Sequence, residues 1–316
     1  MDTQASVCLS VVEGTLTRLP PQWPEPAERR LALHLLDTVL HDVHAASRLP
    51  VRRFLAERLR ATADAIASTS VAEGAVIWKL YNHGFVVRTA TVTLGFDVVR
   101  TPPYLRDADP SMPDVVDRLV DECDVLFISH VHGDHADPFL AQAFLDAGKP
   151  VVAPANVWAG ESFHDSITHL ERAAHLRQEL AVRAGTVLLS VTVYPGHQQT
   201  GPNQAVENNV PVVTTPEGMA FCQTGDQSWG PDFEWIDSVG EHCRVDVLMP
   251  NCWTADMPRV IRGVRPRLVI PGHENEMGHG LDTRIPSWRS YAASAGVEVP
   301  VLVIAWGESY HYVPED

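Results

Sequence analysis

The sequence predicts an α/β protein in which two stacked β-sheets carry helices on their outer faces, behind a helical N-terminal extension. Three observations predict it. Apolar residues over 32–66 recur at helical spacing. From about residue 74 the period shortens to that of strands. Beyond residue 114, strand-like and helix-like stretches alternate. The chain is therefore divided into an extension, 1–73, and a main domain, 74–316.

Residues 1–26 read as loop, closing on Pro20, Pro21, Pro24 and Pro26. Ala32, Leu35, Leu36, Val39, Leu40 and Val43 then mark one helix. Val51, Phe54, Leu55, Leu59, Ala63 and Ile66 mark a second, with Pro50 suited to its first turn. The two form a helical hairpin packed on the main body, and His34, His41 and His44 read as solvated or capping side chains. Ala75–Leu80, Gly84–Arg88 and Thr91–Val98 are consecutive strands, rich in Val, Ile, Phe and Thr. A short helix over Asp114–Glu122 leads into an apolar strand, Val125–Ser129. Pro138–Asp146 reads as helix, Val151–Ala153 as strand and Ile167–Val182 as a long helical region. Strands follow at Val187–Tyr194, Val210–Thr214, Met219–Thr224, Val245–Met249, Leu268–Ile270 and Val301–Ala305.

The chain has 316 residues, 24 Lys+Arg against 40 Asp+Glu, and a formal net charge of -16. A broad nucleic-acid footprint needs the opposite sign of field, so polyanionic partners are disfavoured. Five cysteines without a C-x-x-C pair point away from a disulfide framework or a cysteine-built zinc site. The N-terminus has no basic region followed by an apolar run, and no apolar stretch approaches the ~20 residues that span a bilayer. The expectation is a soluble cytoplasmic protein acting on a small molecule, with no nucleic-acid or membrane partner. The helical hairpin is the candidate interface for any homo-oligomer.

The segment Val125–His135 reads VLFISHVHGDH, a buried strand opening into a turn that holds three His and one Asp in six residues. Imidazole nitrogen and carboxylate oxygen are ligands for Zn²⁺, Fe²⁺ or Mn²⁺. In an extended H-x-H the two rings can point the same way, and Gly133 allows the bend that aims Asp134 and His135 at a neighbouring point. Further candidates lie just beyond apolar strands, each preceded by Gly: His197 in YPGH, Asp226 in TGD and His273 in IPGH.

HVHGDH followed by PGH, TGD and PGH, in that order, resembles the metallo-β-lactamase superfamily over roughly residues 74–306. The resemblance implies the αββα four-layer metallo-β-lactamase sandwich. It implies that His130, His132 and His197 hold one metal and that Asp134, His135 and His273 hold a second. Asp226 would bridge them, and Asp97 would support the site from behind. Two divalent ions, Zn²⁺ first and Fe or Mn as alternatives, would share a water and supply hydroxide near neutral pH. The hydroxide would attack a carbonyl or phosphoryl centre, with Asp134 orienting it. The expected activity is hydrolysis of a small ester, lactone or phosphodiester. The competing reading is a mononuclear iron dioxygenase or other oxidoreductase on the same fold; a β-lactamase or a non-catalytic metal-binding protein ranks lower.

Other polar residues near these motifs divide between structural and functional readings. His83 reads as a hydrogen-bonded structural side chain, with reach to the metals or the substrate as the alternative. His279 is a candidate donor to the substrate or an oxyanion, and Glu274 or Glu276 could hold a ligand imidazole in its tautomer. Asn208 and Asn209 read as a turn, with a side-chain amide facing the cleft as the alternative. Trp229, Trp253 and Trp306 are packing residues or pocket walls, and Cys222 and Cys252 are buried thiols rather than ligands.

Overall fold

The computed structural model describes residues 2–100 and 112–314. Three helices come first: α1 (Asp2–Arg18), α2 (Ala27–Leu40) and α3 (Leu49–Ser68). The loop expected over 1–26 is thus largely helix. Ala5, Leu9, Val12 and Leu16 form its buried stripe, and the prolines after residue 19 mark its end rather than a longer loop. The two expected helices form, with Pro50 in the first turn of α3; α2 stops at Leu40, leaving His41 and His44 outside it.

β1 (Ala75–Lys79), β2 (Phe85–Arg88) and β3 (Thr93–Phe96) form an antiparallel meander. After α4 (Met112–Glu122) come β4 (Val125–Phe127), α5 (Pro138–Asp146) and β5 (Val151–Val152), with β4 and β5 parallel to β3. A strand absent from the sequence reading, β12 (Ser309–Tyr312), pairs with β1 and completes a sheet of order β12-β1-β2-β3-β4-β5.

The second sheet, of order β11-β10-β9-β8-β7-β6, has the same plan: an antiparallel part, then a parallel one. It contains β6 (Gln178–Val182), β7 (Val187–Gly201), β8 (Gln204–Thr214), β9 (Ala220–Gln223), β10 (Val247–Met249) and β11 (Leu268–Val269). Short helices α6 (Phe233–Ile236), α7 (Val239–His242), α8 (Met257–Val264) and α9 (Ser287–Ala293) fall between or after these strands.

The helix expected over 167–182 does not form. Thr168 bridges to Val152, Arg172 bridges to Val193, and Gln178–Val182 pairs with β7, so pairing across sheets overrides a weak helical pattern. Val301 makes one bridge to Val269 and the segment after it is not a strand.

Phe85, Val87, Phe96 and Phe127 of the first sheet meet Val191, Val193, Phe221 and Val247 of the second in a core between the sheets. Burying each such side chain contributes roughly 1.5–3 kcal/mol. Phe144 and Leu140 of α5 cover the outer face of the first sheet, and Ile236 and Val260 of α6 and α8 cover that of the second. The layers are therefore helix, sheet, sheet, helix. The three N-terminal helices have a core of their own, which runs on into Tyr81, Met277 and Trp306 of the main body. No described helix is long and apolar enough to cross a membrane.

Candidate metal centre

The sandwich brings the C-terminal ends of its parallel strands to one edge. β3 runs into Asp97, β4 into Ser129–His135, β9 into Asp226 and β11 into His273. A strand buried on both faces must be apolar throughout, so its first polar side chain appears where it leaves the sheet. The backbone turns sharply there: Asn82, Asp97, His273 and Asn275 all have positive φ, a conformation costing non-Gly residues about 1 kcal/mol or more. Gly225, at φ +51, leaves no space for a side chain, because a Cβ would sit 2.3 Å from that of Ser129.

These ends deliver two adjoining clusters. In the first, His130 Nε2 lies 3.1 Å from His132 Nδ1 and 3.6 Å from Asp226 Oδ2. In the second, His135 Nε2 and His273 Nε2 each lie 3.4 Å from Asp226 Oδ1, and 3.6 and 3.4 Å from Asp134 Oδ2. Asp226 thus presents one oxygen to each cluster. His135 Nε2, His273 Nε2 and Asp226 Oδ1 are buried and have no hydrogen-bond partner among the described residues. Leaving three such atoms unpaired is costly, and nothing among the described residues satisfies them. Their spacing is that of atoms bound about 2.0–2.2 Å from one tetrahedral ion, which would be ~3.4 Å apart. The donor set and spacing fit a divalent cation.

The electrostatics agree. Burial opposes charge on His135, yet Asp226, Asp97 and Asp134 hold its imidazole well above the ordinary value. Burial likewise opposes charge on His273, and Asp226 and Asp134 push it up to about 10. Asp226 is held well below the usual carboxylate range by His273 and His135, against the effect of burial. The carboxylates therefore draw positive charge onto these nitrogens, and protons and metal ions compete for the same lone pairs. His130 differs: burial and the neighbouring His135 depress it to about 3, leaving it neutral.

A supporting layer orients the clusters. Asp97 accepts from Ser129 N and Oγ and Gln223 Nε2, and its Oδ2 lies 2.8 Å from His135 Nδ1, turning Nε2 toward Asp226. Ser129 Oγ meets His130 Nδ1 at 2.9 Å. Gln198 donates to Asp226 Oδ2, Asn82 donates to Asp134 Oδ2, and Asn208 accepts the Asp226 backbone N–H. The role given to Asp97 by resemblance is thus visible in its contacts. Gln198, Gln223 and Asn82 were missed as site residues: a neutral amide within a strand or turn carries no sequence signal of the group it will meet.

His197 is placed differently from the other proposed ligands. It lies inside β7, paired with Glu207, rather than beyond a strand end, and it belongs to neither cluster. Its side chain is 34% exposed, and Asp232 holds it by accepting the backbone N–H and lying 2.9 Å from Nδ1, which leaves Nε2 free of that contact. Asp232 has no counterpart in the sequence reading.

His279 stacks on His273 at 5.4 Å between ring centroids, and its Nε2 is 3.9 Å from Asp134 Oδ2. Trp253 meets His273 edge-on at 5.6 Å. His83 is fully buried with Nε2 3.2 Å from the Met249 carbonyl, and burial pushes it down to about 3; one of its ring nitrogens also lies within 4.8 Å of His135 and Asp226 ligand atoms, so His83, His135 and Asp226 form a third group that could hold an ion. Glu274 and Glu276 hold no ligand imidazole: Glu274 pairs with Lys79 and Ser290, and Glu276 with Tyr81 and the Gly278 N–H. Asn208 and Asn209 lie in β8 rather than in a turn. Trp306 packs on Tyr81 in the core of the helical extension. Cys222 and Cys252 are buried thiols pushed upward by burial, and neither joins a metal-ligating group.

Comparison with known proteins returns the same architecture. No family model matches the chain. A UPF0173 metal-dependent hydrolase of Opitutus terrae is 25% identical over 242 residues, which cover 72% of this chain and 96% of that protein. The structure of Igni18, a metallo hydrolase of Ignicoccus hospitalis, matches 76% of this chain and 99% of its own at 15% identity and a TM-score of 0.55. This chain has the metallo-β-lactamase fold. CmlA, a diiron β-hydroxylase of Streptomyces venezuelae, also matches, covering 77% of this chain and 55% of its own at 13% identity and a TM-score of 0.51. The fold expected from the order of the motifs is the one the structural comparison returns, and the metallo-β-lactamase sandwich accounts for both sheets and their outer helices.

Proposed function

We propose that the protein is a metal-dependent hydrolase of a small ester, lactone or phosphodiester, with Zn²⁺ as its ion. The observation that carries this reading is Asp226, whose two oxygens face two groups of histidines at one strand edge. His130 and His132 would hold an ion on one side and Asp134, His135 and His273 on the other, with Asp226 between them. His197, through Nε2, would complete the first set. Divalent ions bound there supply Lewis-acid chemistry, activating water near neutral pH and polarising a carbonyl or phosphoryl oxygen.

The chain's own residues do the remaining work. Asp226 fixes the spacing of the two sets and is itself held by Gln198 and by its backbone bond to Asn208. Asp134 is the more exposed of the two carboxylates and is oriented by Asn82. It is placed to align an attacking water as well as to bind an ion. His279 stands at the outer side of Asp134, partly exposed, where its imidazole can donate a proton to a leaving oxygen. Trp253, half-buried beside His273, offers a flat apolar face to the substrate.

A panel of chromogenic esters, lactones, phosphodiesters and β-lactams, assayed with zinc-reconstituted protein, tests the reading. Turnover of at least one of the first three classes is expected, lost in Asp226→Ala. Protein purified without added metal that carries stoichiometric iron and consumes oxygen would overturn it in favour of the oxidoreductase alternative.

A further inference from the structure

The loop that carries His279 is not held by the sandwich alone. Its neck is closed by the Asn275 N–H, which donates to the Ile285 carbonyl at 2.7 Å. Between these residues Met277 is the only apolar side chain that is buried; Gly278, Gly280, Asp282 and Thr283 are exposed. Such a loop has little hydrophobic reason to keep one conformation.

Its interior is filled instead by Arg284, which is 5% exposed. The guanidinium donates to four backbone carbonyls and to no carboxylate among the described residues. Two belong to the loop, Met277 O at 3.1 Å and His279 O at 2.9 Å. Two lie at and just beyond the end of α2, Leu40 O at 2.7 Å and Asp42 O at 3.1 Å. The C-terminal end of a helix has unsatisfied carbonyls and partial negative charge, so a fixed cation is well matched to it. The planar fork points one terminal nitrogen at each partner, a geometry that the single ammonium of Lys matches less well. A second tie lies at the neck. Asp37 of α2, also buried, accepts from Asn275 Nδ2, from Ser287 N and Oγ and from Trp288 N.

We propose that the N-terminal helices are a working part of the centre: α2, through Arg284, holds the loop so that His279 stands beside Asp134. Arg284 is a positioning residue and does not touch the reacting atoms. The role of His279 rests on the hydrolase reading above; the holding of the loop by α2 does not.

The test uses the full chain and the variants Arg284→Ala, Arg284→Lys and His279→Ala, with Arg284→Ala/His279→Ala combined. Hydrogen exchange of zinc-loaded protein comes first. Peptides covering 276–283 should exchange at least about tenfold faster in Arg284→Ala, while β3, β4 and β9 stay protected. Unchanged protection of 276–283 overturns the proposal, whatever the protein's activity. On a substrate found by the panel, His279→Ala should lower kcat by about 100-fold. Arg284→Ala should lower kcat by about 10-fold or more with KM within about threefold, and the double variant should be no slower than His279→Ala. Losses that multiply in the double variant would show that Arg284 acts elsewhere and would overturn the proposal. If Arg284→Ala does not fold, Arg284→Lys carries the same comparisons with smaller effects of the same sign. Absence of turnover in wild-type protein together with faster loop exchange in the variant would contradict the hydrolase reading alone.

Discussion

Asp97 touches no proposed ion, yet its carboxylate lies against His135 Nδ1 and accepts from Ser129 N and Oγ and from Gln223, so four polar groups of three residues behind the centre depend on it. Outer partners of this kind fix the tautomer and direction of a ligand ring. Asp97→Asn should lower zinc affinity by about 10–100-fold, read by competition with a chromogenic chelator; an affinity within about twofold of wild type would refute that role. Asp232→Asn offers the matching test for His197, whose ring is held mainly by that residue. At this scale the sequence spoke through chemistry. His and Asp immediately after an apolar strand stand out because buried strands exclude them. Asn82, Gln198 and Gln223 do not stand out, since an amide is equally at home in a solvated turn.

Strand ends place the ligands, and two glycines let them do so. A Cβ at Gly272 would come 2.1 Å from His83 Cδ2 and 3.0 Å from Phe85, both fully buried. His83 is fixed by the Met249 carbonyl and cannot retreat freely. Gly272→Ala should therefore cost about 1–3 kcal/mol and lower Tm by roughly 2–10 °C in a thermal melt, with weaker zinc binding because His273 follows directly. A variant with unchanged Tm and affinity would show that the neighbours yield. Among the elements, the short parallel strands were legible because they are near-continuous apolar runs. The region 167–182 was not. It has apolar residues at mixed spacing and no Gly or Pro, so only its pairing with β5 and β7 decides its form. His197 was placed beyond a strand for a related reason: the ladder of β7 and β8 continues through the polar residues Gln198 and Gln199, where hydrophobic pattern gives no sign of it.

Across the whole molecule, the two sheets meet along one core while the N-terminal helices cover the edge next to β12 and the His273 loop. The buried pair of Arg29 on α2 and Glu308, just before β12, ties that cover to the main body, as do Asp37 and Arg284. The helical preface was legible only in part. The stripe of α1 is present in the sequence but interrupted by Val7 and Val11, which are exposed, and the contact of Arg29 on α2 with Glu308, 279 positions away, carries no local signature. If the centre binds metal in the folded state alone, zinc at about 100 times its Kd adds ~2.7 kcal/mol, so chelator should lower Tm by roughly 5–10 °C. Identical melting with chelator and with zinc would count against a metal centre built into the fold. The most direct measurement is calorimetric titration of chelator-treated protein with Zn²⁺, alongside Asp226→Ala. Wild-type protein is expected to bind at least one ion per chain, and the variant to lose that binding or weaken it at least about 100-fold. Equal stoichiometry and affinity in the two proteins would contradict the placement of the metal between these histidines and Asp226.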